Sequence, residues 1–317
     1  MTKTVFSAMR PTGKINLGQW LGALSNWVNL QKDYNCVFAI ADWHALMGEY
    51  ENSSQLHEYS IEMAIDWLAC GIDPKKSIMY IQSAVPQHLE LQMVLSCLTP
   101  LGWLERNPTY KEQLREITSR DLQTYAFLGY PVLQAADILL YKAQAVPIGE
   151  DQLPHLELSR EIARRFNFIY KKDLFPDCKA ILTETSRLLG TDNRKMSKSY
   201  GNAINLSDSI DDIIQKTSKM ITDSKRIRKT DPGHPKECNV FSYYQVMAPA
   251  MQEDVSVWCT GAQKGCMDCK KLLAEQIVGY LAPMRDKRAA ISKDKDYVQD
   301  VLNDGAKRAS QIAQNTM

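Results

Sequence analysis

The stretch that decides the fold is Cys36-Val37-Phe38-Ala39-Ile40-Ala41-Asp42, then an amphipathic segment from Gln55 to Cys70, then Ser77-Ile78-Met79-Tyr80-Ile81-Gln82-Ser83. The two short apolar runs read as buried strands, and the longer segment reads as the helix between them. Strand, long helix, strand implies parallel pairing and a doubly wound sheet, whose ligands sit at the carboxyl ends of its strands. Working outward, Thr4-Val5-Phe6-Ser7-Ala8-Met9 reads as another buried strand and Arg10-Pro11-Thr12-Gly13-Lys14 as a turn. Leu17, Leu21, Leu24 and Val28 then form the apolar stripe of a helix. Leu89 to Cys97 is a further helix, and Pro131 suits the first turn of one running to Tyr141. Val146-Pro147-Ile148 is an apolar strand that opens into the polar turn Gly149-Glu150-Asp151-Gln152. Beyond residue 200 the pattern is helical, with Ser207 to Lys219, Lys271 to Tyr280 and Tyr297 to Ile312 showing the period of a helix. The expected class is α/β, a doubly wound parallel sheet with a second, all-helical C-terminal domain.

The chain has 317 residues and a formal net charge of +1. At about 100–200 residues per domain that length allows two domains, and the charge leaves nucleic-acid binding to local patches. No apolar run has the length of a membrane span and the N-terminus lacks a signal-peptide core, so a cytoplasmic compartment is expected. Eight cysteines without export signals point to reduced thiols or metal ligands rather than disulfides.

The motif richest in chemistry is Lys195-Met196-Ser197-Lys198-Ser199, which sets two ammonium groups three residues apart among small hydroxyls. Such a loop suits a charge that appears transiently, as on a pyrophosphate leaving an α-phosphate. Near the N-terminus, Gly18 and Gly22 lie one turn apart and leave room for a ligand at a helix start, where unpaired N–H groups attract phosphate. His44 follows the strand ending at Asp42, at a carboxyl edge. Tyr130, Gln134 and Asp137 share one helical face, and a carboxylate embedded in Ala-Ala-Asp-Ile-Leu-Leu is costly unless it meets a donor. That donor is either a protein group or a ligand N–H.

The lysine pentapeptide resembles the signature loop of class I aminoacyl-tRNA synthetases, and Asn16-Leu17-Gly18-Gln19 occupies the place of that family's His-Ile-Gly-His tetrapeptide. Both histidines are absent here, so this motif would act by position and charge, without proton transfer. Ser-Ala-Met-Arg-Pro-Thr-Gly, Asp42-Trp43-His44-Ala45-Leu46, Leu104-Glu105-Arg106, Ala-Ala-Asp-Ile-Leu-Leu-Tyr and Gly-Glu-Asp-Gln together resemble the tryptophan-activating family within the class, over nearly the entire chain. The resemblance implies a Rossmann-like catalytic domain with a helical dimer region over 1–188, a lysine loop with a helical anticodon-binding domain over 189–295, and a C-terminal helix over 296–317 that packs back on the first. It implies ATP with Mg2+, L-tryptophan and tRNA(Trp) as reactants, and a homodimer. Phe6, Ala8, His44, Gln134, Asp137, Val146 and Gln152 match the tryptophan pocket, with Asp137 taking the indole N–H. Arg10, Thr12, Asn16, Gly18, Gln19, Gly149 and Asp151 match positions around ATP, and so do Met196 and Ser197 of the loop. Lys111, Lys195 and Lys198 match lysines that approach its phosphates, and Arg10, where some relatives carry Gln, adds a guanidinium nearby.

Cys238, Cys259, Cys266 and Cys269 are separated by twenty, six and two residues. These four thiols suit a zinc ion, an iron–sulfur cluster, or no metal; zinc usually asks for two close pairs, whereas a cubane tolerates this spacing. The resemblance implies a [4Fe–4S] cluster, as in a subset of the family. Lys225-Arg226-Ile227-Arg228-Lys229 is a basic run placed for phosphate contacts with tRNA. A cluster drawing it toward Lys270 and Lys271 would then shape the tRNA surface and leave amino-acid activation untouched. Leu89, Leu91, Met93, Val94, Leu101 and Trp103 are candidates for a two-fold interface, about half of them belonging instead to the core. A tyrosine-activating relative and a non-catalytic tRNA- or nucleotide-binding regulator are the competing readings; the intact lysine loop argues against the second.

Overall fold

A computed structural model describes residues 2–116, 120–182, 188–196 and 200–317. In chain order the strands are β1 (Thr4–Met9), β2 (Asn35–Ile40), β3 (Ser77–Ile81), β4 (Ala145–Ile148) and β5 (Lys179–Leu182). The α-helices are α1 (Leu17–Gln19), α2 (Ser25–Leu30), α3 (Asp42–Glu49), α4 (Leu56–Cys70), α5 (Gln87–Ser96), α6 (Leu101–Glu105) and α7 (Pro108–Glu116). They continue with α8 (Tyr125–Leu140), α9 (Leu153–Tyr170), α10 (Ile210–Ser218), α11 (Asn239–Met247), α12 (Gln252–Thr260), α13 (Cys266–Ile291) and α14 (Lys295–Thr316). The chain divides into two compact units: Met1–Gly13, Ala23–Glu184 and Ile291–Met317 form the first, and Lys14–Gly22 with Thr185–Ala290 the second.

The first unit holds one parallel sheet of order β3-β2-β1-β4-β5. Strand order reverses beside β1, so a crevice opens at the carboxyl ends of β1 and β4, the usual ligand position in such sheets. Alternation along β2 feeds both faces. Phe38 stacks on Trp27 of α2 at 4.8 Å, and Trp27 meets Trp67 of α4 edge-on at 5.1 Å. Val37 and Ala39 point the other way, into a core shared with Phe6, Tyr80, Leu139 of α8, Ile162 of α9 and Ala309 and Ala313 of α14. α4 ends at Gly71 in the left-handed region, where a side chain would be strained. α14 lies against β3 so closely that a Cβ on Gly305 would stand 1.8 Å from the Met79 carbonyl oxygen.

α8 begins earlier than the proline suggests. Thr124 caps it by accepting from the Phe127 N–H at 3.2 Å, and Pro131 sits inside the helix rather than in its first turn. β5 carries no apolar run long enough to stand out in the sequence, and its side chains are only partly covered. The second unit has helices α1 and α10 to α13 and, among its described residues, no named strand. None of the eight cysteines is in a disulfide, and no helix among the described residues is long and apolar enough to cross a membrane.

Candidate active site

In the first unit the strands β2 and β3 deliver His44 and Gln82 just past their carboxyl ends, and α8 brings Asp137 up to both. Asp137 is buried, and its carboxylate is met from three sides. Gln82 Nε2 donates to Oδ1 at 2.7 Å, His88 Nδ1 to Oδ1 at 2.6 Å, and His44 Nε2 to Oδ2 at 2.9 Å. An ionised carboxylate only accepts, so both histidines present an N–H to it. Tyr80 donates to Tyr141 at 2.7 Å and Tyr141 in turn donates to Nε2 of His88 at 3.1 Å, with the Tyr80 oxygen 2.9 Å from the same nitrogen. Burial works to raise the Asp137 carboxyl, but His88 and then His44 outweigh it and hold the group at about 2. The acid is therefore ionised at neutral pH inside an apolar helix. Oδ2, with one donor in place, has a second lone pair to offer. Gln82 Oε1, in a fully buried side chain, has no hydrogen-bond partner among the described residues.

A second chain of hydrogen bonds ends at Tyr130, on the same face of α8. Asn107 Oδ1 accepts from the Thr109 N–H at 3.0 Å, which turns its Nδ2 toward His155 Nδ1 at 3.0 Å. His155 then carries its proton on Nε2 and donates to the Tyr130 hydroxyl at 3.1 Å. Burial, helped by the nearby His44, lowers His155 to about 4, which keeps the ring neutral. Burial likewise raises the Tyr130 phenol, so that it stays protonated.

The other candidates in this unit take definite places. Phe6 is buried and stacks on Tyr141 at 5.6 Å and 7°, and Val146 is buried on β4. Ala8 and Gln134 are half-buried. Gly149 turns the chain out of β4, and a Cβ there would stand 2.7 Å from Asp151 Oδ1, so the glycine lets that carboxylate fold back over the turn. Gln152 Nε2 donates to Asp151 Oδ2 at 3.1 Å. Arg10 and Lys111 are exposed, and Thr12 is half-buried.

In the second unit the N-terminal tetrapeptide and the lysine loop lie side by side. Asn16 and Gln19 close a capping box around α1, Gln19 N–H to Asn16 Oδ1 at 2.9 Å and Asn16 N–H to Gln19 Oε1 at 3.1 Å. A Cβ on Gly18 would stand 3.3 Å from Met196 Sδ and 3.2 Å from Asn16 Oδ1, whereas Gly22 faces open space. The loop rises from a stem in which Leu189 bridges Lys195 and the Gly190 N–H donates to the Arg194 carbonyl at 2.7 Å. Asn202 ties the returning arm to this stem through Asp192 Oδ1 at 2.7 Å and the Lys195 carbonyl at 3.1 Å. Lys195 is exposed; Ser197 and Lys198 lie outside the described residues.

Cys238, Cys259, Cys266 and Cys269 are all half-buried. Burial raises Cys269 to about 11, with Cys238, Cys259 and Cys266 pushing the same way, and Cys259 is raised by burial and by its neighbouring cysteines. Arg226 turns away from solvent to place its Nη1 3.9 Å from Cys266 Sγ, and its buried Nε has no hydrogen-bond partner among the described residues. Gly233 packs on Cys259, where a Cβ would stand 2.4 Å from Sγ. Among the described residues no group of three or more His, Cys, Asp or Glu side chains is arranged as a site for a metal ion.

Sequence reasoning passed over Gln82, His88, Tyr80, Tyr141, Asn107 and His155, although His88 follows β3 much as His44 follows β2. Residues 2–282 match the family of class I tRNA synthetases for tryptophan (W) and tyrosine (Y). A tryptophan–tRNA ligase of Thermotoga maritima is 49% identical over 316 residues, spanning 99% of this chain and 96% of its own length. That of Aquifex aeolicus is 40% identical over 388 residues, spanning 99% and 97%. The crystal structure of tryptophanyl-tRNA synthetase from Campylobacter jejuni complexed with ADP and tryptophan has a TM-score of 0.89 at 31% identity, covering 99% of this chain and 97% of that one. The chain belongs to the class I tRNA synthetases of the tryptophan and tyrosine group.

Proposed function

We propose that the chain joins L-tryptophan to ATP as tryptophanyl-adenylate, releasing pyrophosphate, and then transfers the tryptophanyl group to tRNA(Trp), releasing AMP. The observation that carries this is Asp137: a buried carboxylate, held ionised, with a lone pair left on Oδ2. Indole has one N–H and accepts nothing, so a fixed anionic acceptor in an apolar wall is its complement. Phe6, Ala8, Gln134 and Val146 would line the ring, and His44 would fix the carboxylate's angle. Gln152, beside Asp151, would meet the α-amino group. Pyrophosphate exchange with each of the twenty amino acids tests this directly. Exchange with tryptophan alone is expected, and exchange with tyrosine in its place would install the tyrosine reading.

In the first step a tryptophan carboxylate oxygen attacks the α-phosphorus, the bond to the β-phosphate breaks, and the leaving pyrophosphate takes the charge. Lys195, Lys198 and Lys111 would stabilise that charge; Arg10, Thr12, Asn16, Gly18, Gln19, Gly149, Asp151, Met196 and Ser197 would hold the nucleotide. Asn16 and Gln19 carry no titratable proton and already cap a helix. Their contribution is therefore position rather than acid–base catalysis. Mg2+ would accompany ATP, its octahedral shell filled chiefly by phosphate oxygens and water. In the second step a terminal ribose hydroxyl of the tRNA attacks the acyl carbon and AMP departs.

The cysteine set supports a [4Fe–4S] cluster as a structural cofactor. Its thiols repel one another as thiolates, Arg226 Nη1 stands 3.9 Å from Cys266 Sγ as a donor, and Gly233 leaves Cys259 a seat. Protein prepared without oxygen should be brown and hold one cluster's iron per chain. Stoichiometric zinc without iron would replace the cluster with the zinc alternative. The enzyme would work in the cytoplasm as a homodimer. Leu89, Met93, Val94 and Leu101 on α5 and α6 are exposed, whereas Leu91 and Leu104 are buried in the core. A stable monomer in sedimentation at micromolar concentration would remove the dimer.

A further inference from the structure

The lysine loop is held from behind by one helix. Asn239, at the start of α11, is buried; its Nδ2 donates to the Gly190 carbonyl at 2.7 Å, an acceptor that fixes which way the amide points, while the Ser242 hydroxyl donates to the Asn239 backbone carbonyl at 2.7 Å. One turn on, the fully buried Tyr243 donates to the Leu189 carbonyl at 2.6 Å. Positions i and i+4 share a helix face, so these two donors grip successive carbonyls of one stem strand. That strand is bridged directly to Lys195. Lys195 is an exposed residue, and this backbone carries its side chain.

The same helix is fastened at its other side to the cysteines. Cys238 is its N-cap residue, and Tyr244 donates to the carbonyl of Cys269 at 2.7 Å. The segment leading into Cys238 is itself pinned: the Gly233 N–H donates to the Cys259 carbonyl at 2.9 Å, and Asp223 holds the backbone and ring of His234, each at 2.8 Å. We propose that Asn239 and Tyr243 are positioning residues for Lys195, holding the stem of the lysine loop in register, and that the cysteine cluster anchors the helix that carries them. This rests on the reading of Lys195 as a pyrophosphate-stabilising residue. A set of cysteines that only shaped a tRNA surface would leave adenylate formation alone. Seated on α11, it also sets where the lysine loop stands, through an i, i+4 pair of neutral donors.

The test uses the full chain and three changes: Tyr243→Phe and Tyr244→Phe, which each remove one hydroxyl, and Asn239→Ala, which removes the amide. Tyr243→Phe deletes a single hydroxyl, and losing one buried hydrogen bond should lower kcat of tryptophan-dependent pyrophosphate exchange by about tenfold. Asn239→Ala should do the same. Tyr244→Phe, which removes the hydroxyl that donates to the Cys269 carbonyl, should give a smaller fall in the same parameter. In all three the dissociation constant for tryptophan alone should stay within about twofold of the parent, because the contacts removed belong to the second unit. Amide deuterium uptake over residues 188–196 should rise in each. Lys195→Ala, run alongside, separates the two claims: unchanged exchange there overturns the role of Lys195 itself and the inference with it. If Lys195→Ala slows exchange while Tyr243→Phe and Asn239→Ala leave both kcat and deuterium uptake unchanged, α11 does not position the loop. A loss of tryptophan affinity equal to the loss in kcat would likewise overturn the proposal, since it would mark a general structural role.

Discussion

Asp137 and Lys195 are both charged, and they lie at opposite extremes of the molecule's chemistry. Asp137 is 1% exposed, and a network of buried side chains defines its charge and angle. Lys195 is exposed, and the hydrogen bonds described for it and its stem are made by backbone groups, among themselves and with the side chains of Asn202, Asn239 and Tyr243. The contrast is instructive. A group that must recognise one N–H among competing ligands benefits from being rigid before the ligand arrives, because discrimination comes from polar groups that a wrong ligand leaves unpaired. A group that meets a charge appearing only in the transition state needs no such cage, and a solvated ammonium avoids the cost of burial. On the proposed reading, the first unit would specify with side chains and the second would stabilise charge with a positioned loop.

The sharpest way to break this contrast is Lys195→Ala. Removing one preorganised stabiliser of a developing negative charge typically costs about 10²–10³ in kcat. Adenylate formation should fall by that factor with tryptophan affinity unchanged. A loss confined to tryptophan binding, with normal turnover at saturation, would move Lys195 out of the transition state.

Next in size is a pH effect on the buried side of the comparison. His155 sits at about 4 in the folded chain, below its ordinary 6.5. Between those values the unfolded chain binds a proton that the folded chain does not, so stability is full above about pH 6.5 and is lost as pH falls toward 4. The loss approaches about 3 kcal/mol at the lower end. Asp137, lowered to about 2 from 3.8, adds a loss in the same direction at more acid pH, from about 4 downward. Urea unfolding of His155→Gln should be visibly flatter than the parent between pH 6.5 and 4.5. An unchanged slope would mean that His155 is solvated in the folded state.

The third test separates recognition from packing. Asp137→Ala leaves an indole N–H without its acceptor, a cost of about 1–3 kcal/mol. Tryptophan should lose affinity more than a benzothiophene analogue, which has no N–H to satisfy. Equal losses would make Asp137 a structural carboxylate that only organises His44, Gln82 and His88.

Much of this was legible in the chain itself, and the limit follows from how information is stored. β1, β2 and β3 show as apolar runs because both faces of a parallel strand are covered, and α4 shows because its length and period are regular. β5 escaped notice because its four side chains are not buried. Asp137 stood out as a carboxylate in an apolar helix, but its partners did not: His88 is 49 positions away, Gln82 55 and His44 93. A polar network between distant segments leaves no period in the sequence, and only the topology brings its members together. The basic run from Lys225 to Lys229 shows the converse. It reads as a uniform positive stripe, yet Arg226 turns toward Cys266 while Lys225 pairs with Glu237 and Lys229 lies 4.0 Å from Asp268.

The smallest effect probes the two glycines of the N-terminal motif, which look alike in sequence and differ in space. At Gly18 a methyl group would press on Met196 Sδ at 3.3 Å and Asn16 Oδ1 at 3.2 Å; at Gly22 it would meet nothing within 4 Å. Gly18→Ala must therefore shift either the helix cap or the lysine loop. An overpacking cost of about 1 kcal/mol, roughly fivefold, should appear in KM for ATP. Gly22→Ala has no neighbour to displace and exchanges a poor helix former for the best one. It should leave KM for ATP alone and raise the melting temperature slightly, at most by the equivalent of about 1 kcal/mol. The two variants together decide whether the first motif acts by close approach to the loop. If both raise KM equally, the glycines serve the nucleotide directly rather than the contact with Met196. If neither does, Met196 yields freely, and the stem held by α11 places Lys195 without help from the N-terminal helix.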